Sequence, residues 1–379
     1  MKKIVITVAT YWPKTDGVQM VTQYQAEGLA KLGYKVTLIT SEIDGCPHEE
    51  NLNGVDVIRI NAHNFYYWHK GDKKQYRSIV LKETTDAVAL IAVCLQSFSA
   101  DWILNVLPNI QCKKILYLHG MPDFKIHINN LNNLYNLVKT CFRNARWKLF
   151  YLRNNDKIMK FDAITHLFKY DNSYIYFQKK GFKNNYIIEN ACDDLFFETT
   201  HNNKNKYFLY VGNFCKRKNQ ELLLRTFYKL KDNTHKLVLI GSVENEYCKR
   251  LKKIKLILDE KFEKKDVEIL DNVSREKIIE YTKNAVACIM TSNYEYFPIT
   301  IIEAMASGVP FISTNVGIVR YLPGGIIVNK QNDIIYWMDF FIHNPEYAMK
   351  IGEVGNDYAK DHMKIRNKVH ALENIIVEK

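Results

Sequence analysis

The chain lacks a long hydrophobic run: the longest, Ala87 to Leu95, falls far short of the ~20 apolar residues a bilayer crossing needs. Ile4-Val-Ile-Thr-Val after Met1-Lys-Lys imitates a short signal peptide, but Tyr11-Trp-Pro-Lys interrupts it without a small-residue cleavage site, so a first strand is the expected reading. Its eight cysteines include no CxxC pair and no Cys/His ligand spacing. That argues against a zinc site or a disulfide framework, and for reduced thiols in a cytoplasmic protein. No G-x-G-x-x-G follows the first strand-like segment, which removes the ordinary NAD fingerprint. Low-complexity tracts and short-period repeats are also missing, as is an Asp-x-Asp metal motif in a loop after a strand.

What remains is 379 residues, 47% hydrophobic and 25% charged, enough for two domains that each bury a core. The net charge of +12 suits acidic partners: nucleic acid, an anionic membrane face or a phosphorylated acceptor. General enrichment in Lys and Asn explains it equally well, and charge alone does not separate these options.

Strand and helix patterns alternate along the first half. Strands are expected at Lys3–Val8, Lys35–Thr40, Val55–Ile60, Trp102–Val106, Lys114–Leu118, Asp162–Thr165 and Tyr186–Ile188, with helices at Val18–Leu32 and Ile79–Ser97. The polar stretch from Glu198 to Lys206 reads as a linker. The pattern then restarts with strands Tyr207–Val211, Leu237–Ile240 and Val267–Leu270 and helices Gln220–Leu230 and Arg275–Tyr281; two or three helices follow from Asp333. Repeated βα units predict parallel, doubly wound sheets. The expected division is residues 1–197, 207–355 and a final helix, 356–379.

The richest segment runs from Asn293 to Thr314. A buried strand, Ala285–Met290, leads to a helix that starts near Pro298, ends at Gly308 and feeds the strand Val309–Ser313. Glu295 then lies on the loop at the strand's carboxyl end, where open α/β sheets bind ligands, and Glu303 stands one to two turns into the helix. The helix N-terminus, with Phe297, Pro298 and Ile299 around it, offers unpaired N–H groups, none of them from the proline, to a phosphate. An anion held between two hydroxyl-binding carboxylates suggests a sugar nucleotide.

The segment resembles the E-x7-E signature of family 4 retaining glycosyltransferases, whose members typically read Glu-Gly-Phe-Gly-x-x-x-x-Glu-Ala-Met-Ala-x-Gly-x-Pro. Tyr296 and Pro298 replace the two glycines here. The resemblance implies the GT-B fold, an α/β architecture of two Rossmann-like domains with parallel sheets facing across a cleft. It also implies an N-terminal acceptor domain, a C-terminal nucleotide-sugar domain and a last helix that returns to the first. Val211-Gly-Asn-Phe-Cys-Lys-Arg-Lys-Asn is similar to the family's Val-Gly-Arg-x-x-x-x-Lys-Gly, whose cations neutralise the donor diphosphate. Lys218 matches the lysine, Asn213 stands where the arginine is expected, and Lys216 or Arg217 is placed to compensate. Fixed cations matter because charge builds on the leaving diphosphate, and they remove the need for a metal.

Asp16-Gly17 stands where the family has Gly-Gly, and Gly17 would admit close backbone approach. His119, at the carboxyl end of a strand, is similar to a cleft histidine that meets the donor sugar or its phosphate. Asn190-Ala-Cys-Asp193 is similar to the family's Asn-Gly-Val-Asp, with Ala191 in place of glycine, and reads as structural at the domain junction. Tyr321 replaces a family glutamate.

From Leu131 to Arg153 there is no acidic residue. At 100° per residue Leu134, Val138, Cys141, Phe142, Ala145, Leu149 and Leu152 extend from Leu131 as one stripe, with Lys139, Arg143, Arg146 and Arg153 about 110° away. Such a helix fits an anionic membrane, with the aromatic loop Phe65–Lys70 as an anchor, or fits a core helix with a solvated basic side.

The expected protein is a cytoplasmic, metal-independent, retaining hexosyltransferase, with peripheral attachment to the inner membrane face as an option. Its partners are a nucleotide-sugar donor and a saccharide or lipid-linked saccharide acceptor of cell-surface polysaccharide or lipopolysaccharide synthesis; nucleic acid is not expected. Glu295, Lys218 and His119 are the catalytic candidates, with Glu303, Arg217, Gly17, Asp16, Phe297, Pro298 and Ile299 binding substrate. Lys139, Arg143 and Arg146 are candidates for membrane or acceptor, and no metal ligand is named. A sugar-nucleotide 2-epimerase and a non-catalytic basic binding protein are the competing readings.

Overall fold

The computed structural model describes residues 1–14, 16–65, 68–124, 126, 134–198 and 206–378. The chain forms two compact units, Met1–Glu189 with Lys368–Lys379, and Asn190–Asn367. The first unit therefore ends at 189 rather than 197, and the segment 190–197 travels with the second. Most of the expected linker, 199–205, lies outside the described residues.

The first unit runs β1 (Lys3–Thr7), α1 (Gly17–Lys31), β2 (Lys35–Ser41), β3 (Glu49–Leu52), β4 (Val55–Ile60), β5 (Ala62–Phe65) and β6 (Trp68–Gly71). It continues through α2 (Lys73–Thr84), β7 (Ala87–Val93), α3 (Phe98–Asp101), β8 (Lys113–Tyr117), α4 (Leu134–Ile158), β9 (Ala163–His166), α5 (Asn172–Lys179) and β10 (Asn185–Ile187). Eight strands form one sheet in the order β10-β9-β8-β7-β1-β2-β4-β3, parallel except for β3 against β4, while β5 and β6 pair as a separate antiparallel ribbon.

Two sequence expectations fail here. Ile79–Ser97 is not one helix: its start belongs to α2, and its apolar run is β7, the strand between β1 and β8. A strand buried on both faces carries a continuous apolar run, which periodicity alone cannot tell from a buried helix. Trp102–Val106 is not a strand either. It is a run of turns after α3, and Trp102, Ile103 and Leu104 plug the core beside Tyr76 and Phe98.

The second unit runs β11 (Tyr207–Val211), α6 (Gln220–Phe227), β12 (Lys236–Ile240), α7 (Glu246–Lys261), β13 (Val267–Leu270) and α8 (Arg275–Asn284). Then come β14 (Ala287–Met290), α9 (Ile299–Ala306), β15 (Phe311–Thr314), β16 (Gly325–Val328), α10 (Gln331–His343) and α11 (Pro345–His362). Its six strands are all parallel, in the order β13-β12-β11-β14-β15-β16. The core is built from Phe208, Tyr210, Leu223, Phe227, Leu237, Leu239 and Phe341.

The last helix, α12 (Ile365–Val377), belongs from Lys368 onward with the first unit. Its Val369 lies against Gly28 of α1, where an added Cβ would come within 2.4 Å of the valine side chain. Lys368 Nζ also pairs with Glu189 at 3.1 Å.

In both sheets the strand order reverses beside the first strand of the unit. β1 leads to β2 on one side and, later, β7 joins on the other; β11 and β14 flank the matching point in the second unit. Such switch points leave a crevice at the carboxyl ends of the strands, where open α/β sheets bind ligands.

Candidate active site

At the switch point of the second unit the loop after β11 meets the loop after β14. Arg217 Nη1 lies 2.8 Å from Glu295 Oε1, and Lys218 Nζ lies 2.9 Å from the same oxygen. Glu295 is 9% exposed at its side chain and Lys218 12%, whereas Arg217 is half open at 49%. Hydrogen bonds fix both loops. Asn293 N donates to Arg217 O at 2.8 Å, Asn293 Nδ2 to Lys216 O at 3.1 Å, and Thr291 Oγ1 to Asn219 O at 2.9 Å. Tyr210 OH donates to Lys218 O at 2.8 Å. The two cations are thus placed by backbone, not by chance meeting of long side chains. Asn213 is exposed and enters no ion pair, so Arg217 and Lys218 supply the positive charge that faces Glu295.

The Glu295 loop is held from beneath. Ile318 N donates to Tyr296 O at 3.0 Å, and Asn190 Nδ2 to Phe297 O at 3.0 Å. Gly317, at φ 52°, passes so close that a Cβ there would lie 2.2 Å from Tyr296 O and 2.5 Å from Glu295 O. Only glycine fits both the approach and the left-handed backbone. Pro298 stands at the N-cap of α9, one residue before the first turn, and Ile299 opens the helix. Phe297 and Pro298 are buried and Ile299 is half-buried.

Glu303 sits in the second turn of α9, 3% exposed, with Oε1 2.7 Å from Arg275 Nη2. Arg275 is the first residue of α8 and stacks its guanidinium 4.7 Å from the centre of the Phe196 ring. Sequence reasoning missed Arg275. Its only signal was its place at the start of a helix after a strand, where the ligand-facing end of the sheet lies. Asp193 accepts from Leu195 N at 3.1 Å and caps a short turn, as a structural residue would.

In the first unit three neighbouring strands end together. After β1, Asp16 caps α1 by accepting from Gln19 N at 2.8 Å, and Thr10 Oγ1 donates to its other oxygen at 2.8 Å. Among the described residues nothing lies within 4 Å of where a Gly17 Cβ would stand. After β7, Cys94 and Gln96 hold φ of 63° and 65°, a region that costs non-glycine residues energy and tends to mark functional sites. After β8 comes His119, its ring 5.2 Å from that of Tyr117. Part of the residue is open, but Nε2 is buried with no hydrogen-bond partner among the described residues. Burial pushes its imidazole down to about 4, with the charge of Asp16 pulling the other way. His119 is therefore neutral at physiological pH, able to donate or accept one hydrogen bond without bringing charge. Nothing in the types Cys94 and Gln96 announced their backbone.

A further buried pair lies next to this edge. His69 Nε2 meets Asp101 Oδ2 at 2.9 Å, and Gln96 N donates to Asp101 Oδ1 at 3.0 Å. Among the described residues one group of potential metal ligands occurs, Glu244, Cys248 and Asp271, and Lys252 already engages Glu244 at 2.6 Å. It belongs to neither loop of the β11/β14 crevice.

Lys139 and Arg143 are exposed on α4, while Arg146 is half-buried with its guanidinium 3.8 Å over the Trp68 ring. Leu131, Tyr66 and Tyr67, which the sequence placed in the same features, lie outside the described residues.

Residues 193–355 match the family described as glycosyl transferases group 1. An uncharacterized glycosyltransferase of Haemophilus influenzae is 26% identical over 380 residues, covering 96% of this chain and 94% of that protein. Among solved structures, sucrose-phosphate synthase from Thermosynechococcus elongatus superposes with a TM-score of 0.77 at 15% identity, over 99% of this chain and 98% of that one. Anabaena Alr3699/HepE in complex with UDP gives 0.75 at 13% identity, covering 100% of each chain. WaaG, a glycosyltransferase involved in lipopolysaccharide biosynthesis, gives 0.65 at 15% identity, over 99% of this chain and 100% of its own. The two parallel-sheet units and these likenesses lead to one assignment: the chain has the GT-B fold, and the match of residues 193–355 to group 1 glycosyl transferases marks it as a transferase.

Proposed function

We propose that the protein is a retaining hexosyltransferase that takes its sugar from a nucleotide-sugar without a metal ion. The observation that carries this reading is the convergence of Arg217 and Lys218 on Glu295 Oε1 across the β11/β14 switch point. Two fixed cations beside a buried carboxylate form a seat for a diphosphate next to an acceptor of sugar hydroxyl bonds. In this reading the bond from the sugar C1 to the β-phosphate oxygen breaks, and the nucleoside diphosphate leaves with its added charge on Lys218 and Arg217. The acceptor hydroxyl attacks from the same face and passes its proton to the departing phosphate oxygen. Glu303, oriented by Arg275, receives the ribose hydroxyls, and the α9 N-terminus at Phe297 to Ile299 faces the phosphate. His119 and Gly17 take the sugar and phosphate contacts that the family resemblance gives them, and Asp16 holds their loop.

The acceptor in this proposal is a saccharide, lipid-linked or part of a growing cell-surface polysaccharide or lipopolysaccharide. The likeness to WaaG supports that class, and the eight free thiols fit a cytoplasmic protein. Incubation with a panel of UDP-, GDP- and ADP-sugars in EDTA, followed by assay for free nucleoside diphosphate, tests the reading. Release from one donor class supports it; release from none, or only with added Mg²⁺ or Mn²⁺, overturns it.

A further inference from the structure

Helix α4 carries its apolar stripe on the outside. Thr140, Asn144, Trp147, Tyr151 and Ile158 are its buried residues, and they share one face. Leu134 is 75% exposed, Val138 59%, Phe142 56%, Leu149 44% and Leu152 68%. By helical geometry this stripe centres about 150° from the buried one. A surface helix ordinarily does the reverse, turning its apolar side to the core and its polar side to water. Contiguous apolar exposure of this kind marks an interaction site.

The charges beside the stripe say what covers it. Lys148 flanks it on one side, and Lys139, Arg146 and Arg153 on the other, while Asp156 is the one acidic residue of the helix. A second, sequence-distant element joins the same patch: Trp68, 57% exposed on β6, lies under the Arg146 guanidinium at 3.8 Å. A two-fold copy of this surface would set basic flank against basic flank, which disfavours self-association. An anionic bilayer complements every part. The stripe enters the acyl boundary, the basic residues meet phosphate headgroups, and the indole sits at the interface.

We infer that the outward face of α4, together with Trp68, docks the protein on an anionic phospholipid surface, with the helix lying in the plane of the membrane. The inference stands apart from the donor chemistry, since the face belongs to the first unit and the Glu295 loop to the second.

The test is co-sedimentation of the full chain with vesicles of phosphatidylcholine alone or with phosphatidylglycerol, at low and high salt. Wild type should bind the anionic vesicles and leave them at high salt, because screening removes the attraction. Lys148→Glu with Arg153→Glu should weaken binding by roughly 30-fold or more, at about fivefold per basic residue lost. Leu149→Asp with Leu152→Asp should abolish it, and both variants should keep the wild-type circular dichroism spectrum and thermal unfolding midpoint, which establishes that they fold. Indifference of wild type to anionic vesicles, or undiminished binding by both variants, overturns the inference. So does a lipid-free dimer that these substitutions dissolve, because the covering partner is then a second copy.

Discussion

Lys218 Nζ and Arg217 Nη1 share one oxygen of Glu295, at 2.9 and 2.8 Å, so the carboxylate occupies the cations that a diphosphate would claim. Glu295 is in this respect a built-in counter-ion, and a bound diphosphate would release it toward the sugar. Glu295→Gln should therefore tighten binding of nucleoside diphosphate while slowing transfer. The gain is about 1 kcal/mol, roughly fivefold, because Arg217 is half exposed and water screens its share. Calorimetric titration of the variant with the free diphosphate reads this directly; weaker binding than wild type would rule out the competition.

Glu303 and Arg275 form the second pair. Glu303→Ala should cost the donor about 1.5–3 kcal/mol of affinity, the worth of a charge-assisted acceptor, with the fold retained. Arg275→Ala should also weaken the donor and should lower the unfolding midpoint, since it leaves a buried carboxylate without its partner. Arg275→Lys should restore part of both. Unchanged diphosphate affinity in Glu303→Ala would remove that residue from the site.

Two glycines should respond in opposite ways. Gly317→Ala meets two backbone carbonyls and a left-handed φ, so it should destabilise the second unit by about 1–3 kcal/mol and displace Glu295. Gly17→Ala meets nothing, so the fold should keep its stability or gain up to about 1 kcal/mol from helix propensity. Any loss of transfer in Gly17→Ala then reports a ligand approaching the backbone. Thermal unfolding and steady-state rates on the two variants separate these outcomes, and a destabilised Gly17→Ala would contradict the open space around it.

His119 and His166 are both pushed by burial to about 4, with Asp16 opposing the shift at His119 and a hydrogen bond with Asn185 opposing it at His166. In the unfolded chain each titrates near the ordinary value of about 6.5. Between these values the unfolded state binds more protons, so stability is full above about pH 6.5 and falls as the pH drops toward 4. The unfolding midpoint should be lower at pH 5 than at pH 7.5, and His119→Gln should shrink that difference. A larger difference in the variant would show that His119 is not held neutral.

The Glu295 loop was legible because its signals are local. Strand, carboxylate, proline, helix and closing glycine follow one another between Ala285 and Thr314, so spacing alone placed Glu295 at a strand end. Partners that arrive from elsewhere were not legible. Arg275 reaches Glu303 from another helix, and the left-handed Cys94 and Gln96 are ordinary residue types made unusual by the strand they end. The failure at Ile79–Ser97 has a different cause: a strand buried on both faces and a buried helix share the same apolar composition. On α4 the periodicity was correct, but a pattern of faces does not say which one turns inward. There the aromatic and amide face, not the aliphatic one, was chosen by packing.

The reading of the switch-point crevice as a metal-free diphosphate seat rests most directly on Lys218. Turnover and diphosphate affinity should be measured side by side in wild type and Lys218→Ala, in EDTA, with the nucleotide-sugar that wild type uses. Charge grows on the leaving diphosphate as the glycosidic bond breaks, so turnover should fall by at least about 100-fold while affinity changes by no more than about tenfold. Wild-type activity that vanishes in EDTA, or a variant that loses binding and turnover in equal measure, would contradict the account.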